Sequence, residues 1–591
     1  LLFAWKKSDR EDDYHIYEYN LTDSSNKQLT FGLGRADLEP QYLPDGDIIF
    51  ASTRGEHSVP CWWTEVTNLY RMSGEGEFMR RLAVDQVHTL YPTVMENGRV
   101  VYTRWDYNDR GQNYPHPLFS MDPDGTGQRI YYGGNSWFPT SLLHPRTIPG
   151  TDKILAIASG HHTLQRGKLV EIDVSVGRDE GLGMSFIAPI RTVDYERKDV
   201  AMQDGEQFKY PFPINTEEFL VSFAPTDTEI LLPVTPWATD LAVYGLYWMD
   251  KDGNRELLYQ HDSISVGRPV LINKPSRPAY IKNDGDYTQN TGTLYVHNVY
   301  EGVGLEGIPY GDAKKLRVVQ LNYRAAGVGE NGNVADEPEG GESLNSTPIA
   351  IGQGSWDVKQ ILGDVEIEAD GSALFEIPAM ASTYLQVLDA KGRVIQTTRS
   401  WDTVLPGEKK ACRGCHAKQN ANFYNYQPEN TIAWTKPPQK LQPFYGESRG
   451  FSFNKEKLDQ RVLEHFKIKY KKQINLNKWK KITDIVLNST KQVNIGIIGK
   501  YVNLKDAYKS LDEALVHGGI ENKLKVNLIR IESDNLKPSD IKSKLKNVSG
   551  ILIPGGFGKR GTEGKIAAIK YARINKIPFL GICFGMQMAI I

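Results

Sequence analysis

Hydrophobic and polar positions along the first half of the chain follow a repeated β-pattern. An apolar residue with a nearby proline opens each unit, and a polar turn and a short strand-like run follow. The Asp-Gly and Asn-Gly pairs in these turns supply the positive φ that tight hairpins need, and the Val-, Ile-, Tyr- and Phe-rich runs suit a half-buried strand. Four copies of the unit are Leu38–Thr53, Leu90–Trp105, His144–Ser159 and Phe219–Thr235.

A companion strand gives the repeat its period. Its equivalent aromatic or aliphatic positions are Tyr17, Tyr70, Phe119, Val170, Tyr247 and Tyr295. Four of the spacings are 48–53 residues and one is 77. A fixed period of this size predicts a six-bladed β-propeller over residues 1–314, with one loop insertion. A β-sandwich is the alternative, but sandwiches lack such a period.

Residues 315–453 have a different pattern, which predicts a separate small all-β domain. The Gly-, Glu- and Asn-rich stretch 325–347 predicts a mobile loop. Residues Val365–Thr398 then predict a hairpin meander with turns at Asp370-Gly371 and Lys391-Gly392.

Beyond residue 453 the chain alternates between apolar runs and amphipathic stretches, which predicts a parallel, doubly wound α/β domain. We expect a linker or helix over 454–490 and the α/β domain over 491–591. Strands are predicted at 493–502, 525–533 and 550–558. Helices are predicted at 506–519, 538–547 and 563–576. The pair Gly518-Gly519 is expected to end the first of these helices.

The charge distribution changes at the same place. The 591 residues carry a net charge of −2, with 70 basic and 72 acidic side chains. The net charge is −17 up to residue 453 and +15 beyond it, and ten of the 11 Trp lie in the first part. This break predicts a join between two unrelated pieces near residues 453–458. The later Lys residues are spread over helices and strands, which indicates a solvated surface rather than a nucleic-acid partner. The chain contains no apolar run of about 18 residues, so the sequence predicts no membrane-spanning helix.

The run Cys412-Arg413-Gly414-Cys415-His416 has the C-x-x-C-H spacing of c-type haem attachment. Two thiols in this spacing bind one haem c, and His416 then falls beneath the iron as an axial ligand. A thioredoxin-like redox pair would need a βαβ context, and half a zinc site would need a second Cys or His pair. The sixth iron ligand is left open between Tyr424, a propeller His and an unfilled position.

Around this motif the first piece resembles the hydrazine synthase alpha subunit and its wider family of propeller proteins with c-type haem. The segments that carry the resemblance are Gly98–Arg110, Asp370–Ala379, Gln396–His416 and Lys436–Phe453. The resemblance covers residues 1–453. It implies an extracytoplasmic haem protein with a redox or binding role, and a redox role would concern small nitrogen compounds.

The resemblance also implies particular ligands. It suggests a metal site at Cys61 with His57 or His88; a buried structural thiol is the alternative for Cys61. Asn420 stands where the family resemblance leads us to expect the haem-ligating Tyr.

The second piece contains a nucleophile elbow, the G-x-C-x-G run Gly581-Ile582-Cys583-Phe584-Gly585. The flanking glycines allow the sharp turn that exposes Cys583, and a following helix N-terminus favours its thiolate. The Gly555-Gly556 loop and the Phe584 amide are candidate donors to a tetrahedral oxyanion. A buried structural Cys is the alternative.

Residues 456–591 resemble the glutamine amidotransferase domain of CTP synthase, on the long ungapped stretches 495–515, 550–573 and 575–590. The resemblance implies Cys583, Gly556 and Phe584 as catalytic residues, with Gly555 and Gln587 at the glutamine. It implies Lys500, Tyr501 and Lys509 as a nucleotide-responsive group. This piece needs no cofactor of its own, because ATP and Mg²⁺ belong to the family's ligase domain.

The two resemblances lead to conflicting expectations. The family's catalytic His and Glu lie far beyond the elbow, whereas eight residues follow Cys583 here, so we expect little glutaminase turnover. Haem attachment implies the periplasm and CTP synthesis implies the cytoplasm. The sequence therefore predicts a chimera of two truncated proteins. Two alternatives assign a single function to the whole chain. It would be either a glutamine-hydrolysing CTP synthase or a non-catalytic haem-binding propeller. The sequence leaves the oligomeric state open.

Overall fold

The structure is a computed structural model that forms two compact units, Leu1–Phe444 and Tyr445–Ile591. It describes all residues except 9–12, 58, 60–64, 107–114, 135, 137, 162, 189–201, 204, 226–242, 273–276, 323–357, 399, 416–427, 443–462, 464–474, 501, 503–507, 535, 557–559 and 591. The predicted mobile loop 325–347 therefore lies outside the described residues.

Five antiparallel sheets follow one another along residues 2–259, and each is built from consecutive strands. Sheet 1 holds β1 (Leu2–Trp5), β2 (His15–Tyr19) and β3 (Asn26–Gln28). Sheet 2 holds β4 (Asp37–Tyr42), β5 (Ile48–Ser52), β6 (Asn68–Met72) and β7 (Arg80–Arg81). Sheet 3 holds β8 (Thr89–Val94), β9 (Val100–Arg104), β10 (Leu118–Met121) and β11 (Arg129–Tyr132). Sheet 4 holds β12 (Ser141–Thr147), β13 (Ile154–Ser159), β14 (Lys168–Ile172) and β15 (Met184–Ala188). Sheet 5 holds β16 (Gln207–Pro213), β17 (Glu218–Ala224), β18 (Gly245–Asp250) and β19 (Arg255–Tyr259).

These sheets form a propeller-like arrangement, because the first strands of neighbouring sheets lie side by side in the order β4, β8, β12 and β16. The first five repeated positions occupy equivalent places. Tyr70, Phe119, Val170 and Tyr247 lie in the third strands of sheets 2–5, and Tyr17 lies in the middle strand of sheet 1. The glycines of the Asp-Gly and Asn-Gly turns all have positive φ: these are Gly46, Gly98, Gly125 and Gly253. The sequence period therefore correctly predicted a sheet that repeats along the chain.

Each first strand of sheets 2–5 contains the same irregularity. The register shifts at Glu39-Pro40, Tyr91-Pro92, His144-Pro145 and Tyr210-Pro211. The residue before each proline has a φ of +48° to +57°. Proline lacks an N–H and is tolerated in a bulge where the ladder is interrupted. The apolar–Pro opening of the sequence repeat is thus a β-bulge that turns one side chain out of the strand.

The fourth copy of the opening was placed wrongly at Phe219. That residue lies in β17, the second strand of sheet 5, and the true counterpart is Tyr210-Pro211 in β16. The sixth repeated position, Tyr295, lies in a sheet that is not built from consecutive strands. The count of six blades stays a prediction.

Two more sheets complete the first unit. Sheet 6 has the order β23-β20-β26, and sheet 7 has the order β22-β21-β24-β25. Their strands are β20 (Thr291–Val296), β21 (Lys315–Asn322), β22 (Val358–Glu366), β23 (Ala373–Pro378), β24 (Thr383–Leu388), β25 (Val394–Thr397) and β26 (Lys409–Cys412). The predicted meander over Val365–Thr398 is wrong in one respect. Its strand β23 pairs with β20 instead of with β22 or β24, so the meander is divided between two sheets.

The connector, residues 260–290, runs without described helix or strand past the hairpin turns of sheets 2 and 3. Arg277 Nε donates to the carbonyl of Pro44 at 2.7 Å, and the Ala279 amide donates to the carbonyl of Glu96 at 2.9 Å. The Asp284 amide donates to Asp124 Oδ2 at 2.7 Å. The connector is therefore held by the turns that the repeat places side by side.

A buried arginine joins sheet 3 to the segment before the haem motif. Arg104 is 1% exposed and lies 3.4 Å from carboxylate oxygens of both Asp85 and Asp106. Its Nη2 donates to the carbonyl of Trp401 at 2.9 Å, and its guanidinium lies 4.6 Å from the centroid of that indole. Trp401 Nε1 in turn donates to Asp85 Oδ1 at 3.1 Å.

The second unit is a parallel sheet with helices. The strands are β27 (Gln492–Gly499), β28 (Lys525–Glu532), β29 (Gly550–Ile553) and β30 (Phe579–Gly581), in the order β28-β27-β29-β30. The helices are α1 (Asn477–Asn488), α2 (Lys509–Glu521), α3 (Ile541–Lys544), α4 (Thr562–Ile574) and α5 (Phe584–Met588). The predicted α/β alternation is confirmed. The expected stop at Gly518-Gly519 is wrong, since α2 continues to Glu521 and Gly518 has open space around it. In the part of the chain that the structure describes, no helix is long and apolar enough to cross a membrane.

We expect Gly98→Ala to destabilise the first unit more than Gly150→Ala. Both glycines lie in hairpin turns with positive φ, so an alanine at either site costs about 1 kcal/mol of backbone strain. A Cβ at Gly98 would also overlap the Ala279 carbonyl of the connector, which adds about 1–3 kcal/mol, whereas nothing lies within 4 Å at Gly150. Denaturant unfolding of the two variants measures the difference, and equal losses would show that the connector does not pack on this turn.

Candidate functional site

The C-x-x-C segment lies at the end of β26, which pairs in parallel with β20. The Cys412 carbonyl accepts from the His297 amide at 2.8 Å, and the Arg413 carbonyl accepts from the Asn298 amide at 3.0 Å. The Cys415 carbonyl accepts from the Gly304 amide at 3.0 Å. Three successive parts of the motif are thereby fixed to the segment that follows β20.

The glycine of the motif is required by this packing. A Cβ on Gly414 would overlap the carbonyls of Asn298 and Glu301, and Arg413 forms an ion pair with Glu301. A side chain at position 414 would therefore push the motif off its support. The two-residue spacer is fixed in place by backbone contacts.

Both thiols line one cavity of ≈ 120 Å³. Its other walls include Val296, Val299, Leu316 and Gln396. Burial raises the pKa of Cys412 and raises the pKa of Cys415 to about 12. Both are free cysteines. The donor set is thus two protonated thiols that face the same largely apolar space.

His416, Asn420 and Tyr424 lie outside the described residues. His297 is a neighbour of the motif that the sequence did not single out. Its Nδ1 lies 3.0 Å from the Tyr295 hydroxyl, and its amide donates to the Cys412 carbonyl. No local sequence signal could have identified it, because the pairing of β20 with β26 joins distant parts of the chain.

The implied metal site at Cys61 stays a prediction, since Cys61 lies outside the described residues. His57 Nε2 lies 3.0 Å from the Asp85 carbonyl, and His88 Nδ1 lies 3.0 Å from Thr67 Oγ1. Burial lowers the pKa of both imidazoles to about 4. Across the described ranges, no group of three or more His, Cys, Asp or Glu could hold a metal ion.

The predicted elbow is present in the second unit. Cys583 follows β30 with φ 49° and ψ −111°, and its side chain is exposed. The flanking glycines are needed for the turn. A Cβ on Gly581 would lie 2.6 Å from the carbonyl carbon of Gly585, and one on Gly585 would overlap the carbonyl of Ile553.

The glycine loop after β29 lies against the nucleophile. The Ile582 amide donates to the Ile553 carbonyl at 2.9 Å, so the two strand ends are joined just before the elbow. A Cβ built on Gly555 would be 3.6 Å from the Cβ of Cys583, and the next residue, Gly556, has a φ of +131°. The structure therefore brings the Gly555 end of this loop to Cys583.

Two buried lysines flank Phe584, the residue after the nucleophile. The Lys565 ammonium lies 5.2 Å from the ring centroid and the Lys500 ammonium lies 5.8 Å from it. Lys565 Nζ also donates to the Gly556 carbonyl at 3.5 Å. Burial lowers the pKa of Lys565, and the nearby Lys500 lowers it further. The expectation that the Lys of this piece lie on a solvated surface is wrong for these two.

The remaining predicted residues are placed as follows. Gln587 is exposed on α5, and its amide donates to the Cys583 carbonyl at 3.1 Å. Tyr501 lies outside the described residues, and Lys509 begins α2. Sequence reasoning missed Lys565. Lys565 and Lys570 lie on the same helix, α4, and their positions in the sequence do not show that Lys565 is buried and Lys570 exposed.

Two family models match separate parts of the chain. The model of the hydrazine synthase alpha subunit middle domain matches residues 311–417. The model of glutamine amidotransferase class-I matches residues 503–591. Hydrazine synthase of Kuenenia stuttgartiensis has a similar solved structure, with a TM-score of 0.58 and 16% identity over 73% of this chain and 63% of that chain. At that identity the likeness shows the fold.

Curated relatives match the second piece. The CTP synthase of Pelagibacter ubique is 76% identical over 176 residues, which are 30% of this chain and 32% of that protein. The CTP synthase of Maridesulfovibrio salexigens is 53% identical over 140 residues, 24% of this chain and 26% of that protein. The chain thus spans about a third or less of the length of these relatives. Both predicted resemblances are confirmed: a hydrazine synthase-like region is fused to a region like the CTP synthase glutaminase domain.

We expect Lys565→Met to stabilise the second unit at pH 7, by about 1 kcal/mol or more, because it removes a cation that burial penalises. The folded pKa of Lys565 lies below its unfolded value, so the unfolded chain binds more protons between the two values. Wild-type stability therefore rises as the pH rises through this window, and the variant loses that rise.

Hydrogen–deuterium exchange of peptides from β27, β29 and α4, at neutral and alkaline pH, reads out this local stability. Lys570→Met is the matched control, because Lys570 is exposed on the same helix. Equal effects of the two substitutions would show that burial of Lys565 carries no penalty.

Proposed function

We propose that the first unit is an extracytoplasmic protein that binds one haem c covalently through Cys412 and Cys415. The observation that carries the proposal is that both thiols line the same largely apolar cavity, at the C-x-x-C-H spacing of haem attachment. The match of residues 311–417 to the hydrazine synthase alpha subunit middle domain supports it.

The residues present fit this group. Cys412 and Cys415 would hold the haem through two thioether bonds, each sulfur bonding to one carbon of a vinyl group while the thiol proton goes to the other vinyl carbon. Burial keeps both thiols protonated in the free chain, and Cys412 and Cys415 are held by backbone bonds to His297 and Gly304. His416 would ligate the iron, and a bound haem would supply one-electron redox chemistry or ligand binding there.

The further parts of this proposal concern architecture and role. The propeller has six blades, the sixth formed around Tyr295, as the repeat period of 48–53 residues supports. The unit acts in redox chemistry or binding, in the periplasm, where c-type haem is attached.

A pyridine haemochrome spectrum of the full chain expressed in the periplasm tests this assignment. We expect the absorption of a two-thioether haem, a shifted spectrum for Cys412→Ala or Cys415→Ala, and no covalent haem in the double variant. Cys61→Ala is the matched control because it removes a thiol outside the motif, and it should keep the wild-type spectrum. Covalent haem retained by the double variant would contradict the proposal.

We propose a second function for the second unit, in which Cys583 attacks the side-chain carboxamide of glutamine. The observation that favours it is the elbow itself: an exposed cysteine at a positive φ, whose Cβ lies close to Gly555. The identity to CTP synthases supports glutamine as the substrate.

The chemistry follows from the elbow. The Cys583 sulfur bonds to the amide carbon, and the carbonyl oxygen becomes an oxyanion that the Gly556 and Phe584 amides stabilise. The C–N bond then breaks as the proton released by the thiol goes to the nitrogen, so that ammonia leaves and a thioester remains for hydrolysis. In a complete CTP synthase, this ammonia would convert UTP to CTP. Lys500, Tyr501 and Lys509 would make the unit responsive to a nucleotide.

A glutamine-analogue chloroketone should alkylate Cys583, with loss of chloride, and glutamine should protect against it. Mass spectrometry should place the label on Cys583 in the wild-type chain and find none in Cys583→Ser. Cys415→Ala is the control and should label normally, since Cys415 lies in the first unit and its thiol is protonated and only half-exposed. Labelling that glutamine does not slow would contradict a glutamine site.

A further inference from the structure

The four bulges of sheets 2–5 bring their outward side chains together. The Tyr91 amide donates to Glu39 Oε2 at 2.6 Å, so the bulge of sheet 3 is bound to that of sheet 2. The Tyr91 and His144 rings are 4.2 Å apart between centroids, and the His144 and Tyr210 rings are 4.5 Å apart. The bulge cluster is defined here as Glu39, Tyr91, His144, Tyr210, Arg146 and Arg268.

The cluster carries more positive than negative charge. Glu39 pairs with Arg268, with 3.0 Å between Oε1 and Nη2. Arg146 also acts on Glu39, but its guanidinium forms no hydrogen bond or ion pair with the described residues. Lys209 adds a third cation near His144. Burial lowers the pKa of Arg146, Glu39 opposes that shift and Arg268 adds to it. A partly buried, unpaired guanidinium is costly unless an anion accompanies it.

His144 supplies a second, independent indication of a ligand. The residue is 5% exposed, and its Nε2 has no hydrogen-bond partner among the described residues. Burial, followed by the charges of Arg268 and Arg146, lowers the pKa of His144 well below its ordinary value, so the ring is neutral. The backbone of Gln165 opposes that shift. In a neutral ring with the proton on Nδ1, Nε2 is an acceptor, and it has no donor among the described residues.

The cluster is open on one side. The Arg268 side chain belongs to the connector and is 52% exposed, while the Glu39 side chain is 8% exposed. The backbone of Gly267 packs against the Tyr210 ring, with a built Cβ 2.8 Å from that ring. The connector therefore covers Tyr210 and leaves access beside Arg268.

We propose that the bulge cluster binds a small carboxylate that carries a hydroxyl or amino group. Arg146 and Arg268 hold the carboxylate, and His144 Nε2 accepts a hydrogen bond from the hydroxyl or amino group. Planar guanidinium groups suit a carboxylate, which accepts two parallel hydrogen bonds from them. This site is separate from the thiols of Cys412 and Cys415 and needs neither haem nor glutamine.

Calorimetric titration of the full chain with glycolate, acetate and phosphate tests the proposal. We expect glycolate to bind with a Kd of about 1 mM or tighter, and acetate, which lacks the donor, to bind about fivefold more weakly. No saturable binding of glycolate would overturn the proposal. Tighter binding of phosphate than of glycolate would overturn the carboxylate class.

Substitutions identify the residues. Arg146→Gln should weaken glycolate binding by about tenfold or more, because a charged hydrogen bond is lost. Arg393→Gln is the matched control, an exposed arginine paired with Asp389, and should bind as the wild type does. In the absence of ligand, Arg146→Met should melt at the wild-type temperature or above it, since it removes an unpaired cation. Undiminished glycolate binding by Arg146→Gln would contradict the site.

His144→Phe should abolish the difference between glycolate and acetate, which loss of packing alone would not do. If this variant does not fold, the imidazole ¹⁵N resonances of the wild-type chain replace it. The Nε2 resonance of His144 should shift with glycolate and much less with acetate. Equal shifts with the two ligands would show that His144 does not recognise the donor.

Discussion

The buried guanidinium of Arg104 fixes the position of the haem-motif segment on the propeller-like sheets. It contacts the carboxylates of Asp85 and Asp106, which follow β7 and β9, and the backbone and ring of Trp401. Burial raises the pKa of Asp85, while Arg104 and the Trp401 indole oppose that rise. A buried charge is tolerated when its partners are in place, and removal of one partner leaves an uncompensated charge. Trp401 therefore cannot leave sheet 3 without a large cost.

That constraint passes along the chain to the thiols. From Trp401 the chain reaches β26 within a few residues, and Glu408 accepts from the Gly127 amide of sheet 3 at 2.8 Å. β26 then pairs with β20, and this pairing holds Cys412 beside His297, the first residue of the segment that follows β20. The haem motif is thus supported from two sides, by the propeller-like sheets and by β20. A loop that only connected two domains would not place both thiols on one cavity.

Sequence reasoning succeeded where the signal is local. Positive φ at Gly46 or Gly98 follows from an Asn-Gly or Asp-Gly pair, and the elbow at Cys583 follows from its flanking glycines. It failed where pairing joins distant strands. The strand after Asp370-Gly371 reads as part of a meander, and only the folded chain shows that β23 leaves it for β20. The bulge at Tyr210-Pro211 was missed because its unit lacks the Asp-Gly or Asn-Gly turn of the first two copies.

The charge break illustrates the same limit at the scale of the whole chain. A change from net −17 to net +15 predicts two pieces of different origin, and the two family matches agree with it. Composition, however, treats every lysine alike. Lys500 and Lys565 are buried against Phe584, whereas Lys570 on the same helix as Lys565 is exposed. Since a buried cation destabilises the fold unless something compensates for it, these two lysines require an explanation that surface charge does not need. Their position beside Phe584, and that of Lys565 beside the Gly556 carbonyl, offers one under the proposed function: they would supply positive potential where the attack of Cys583 creates an oxyanion.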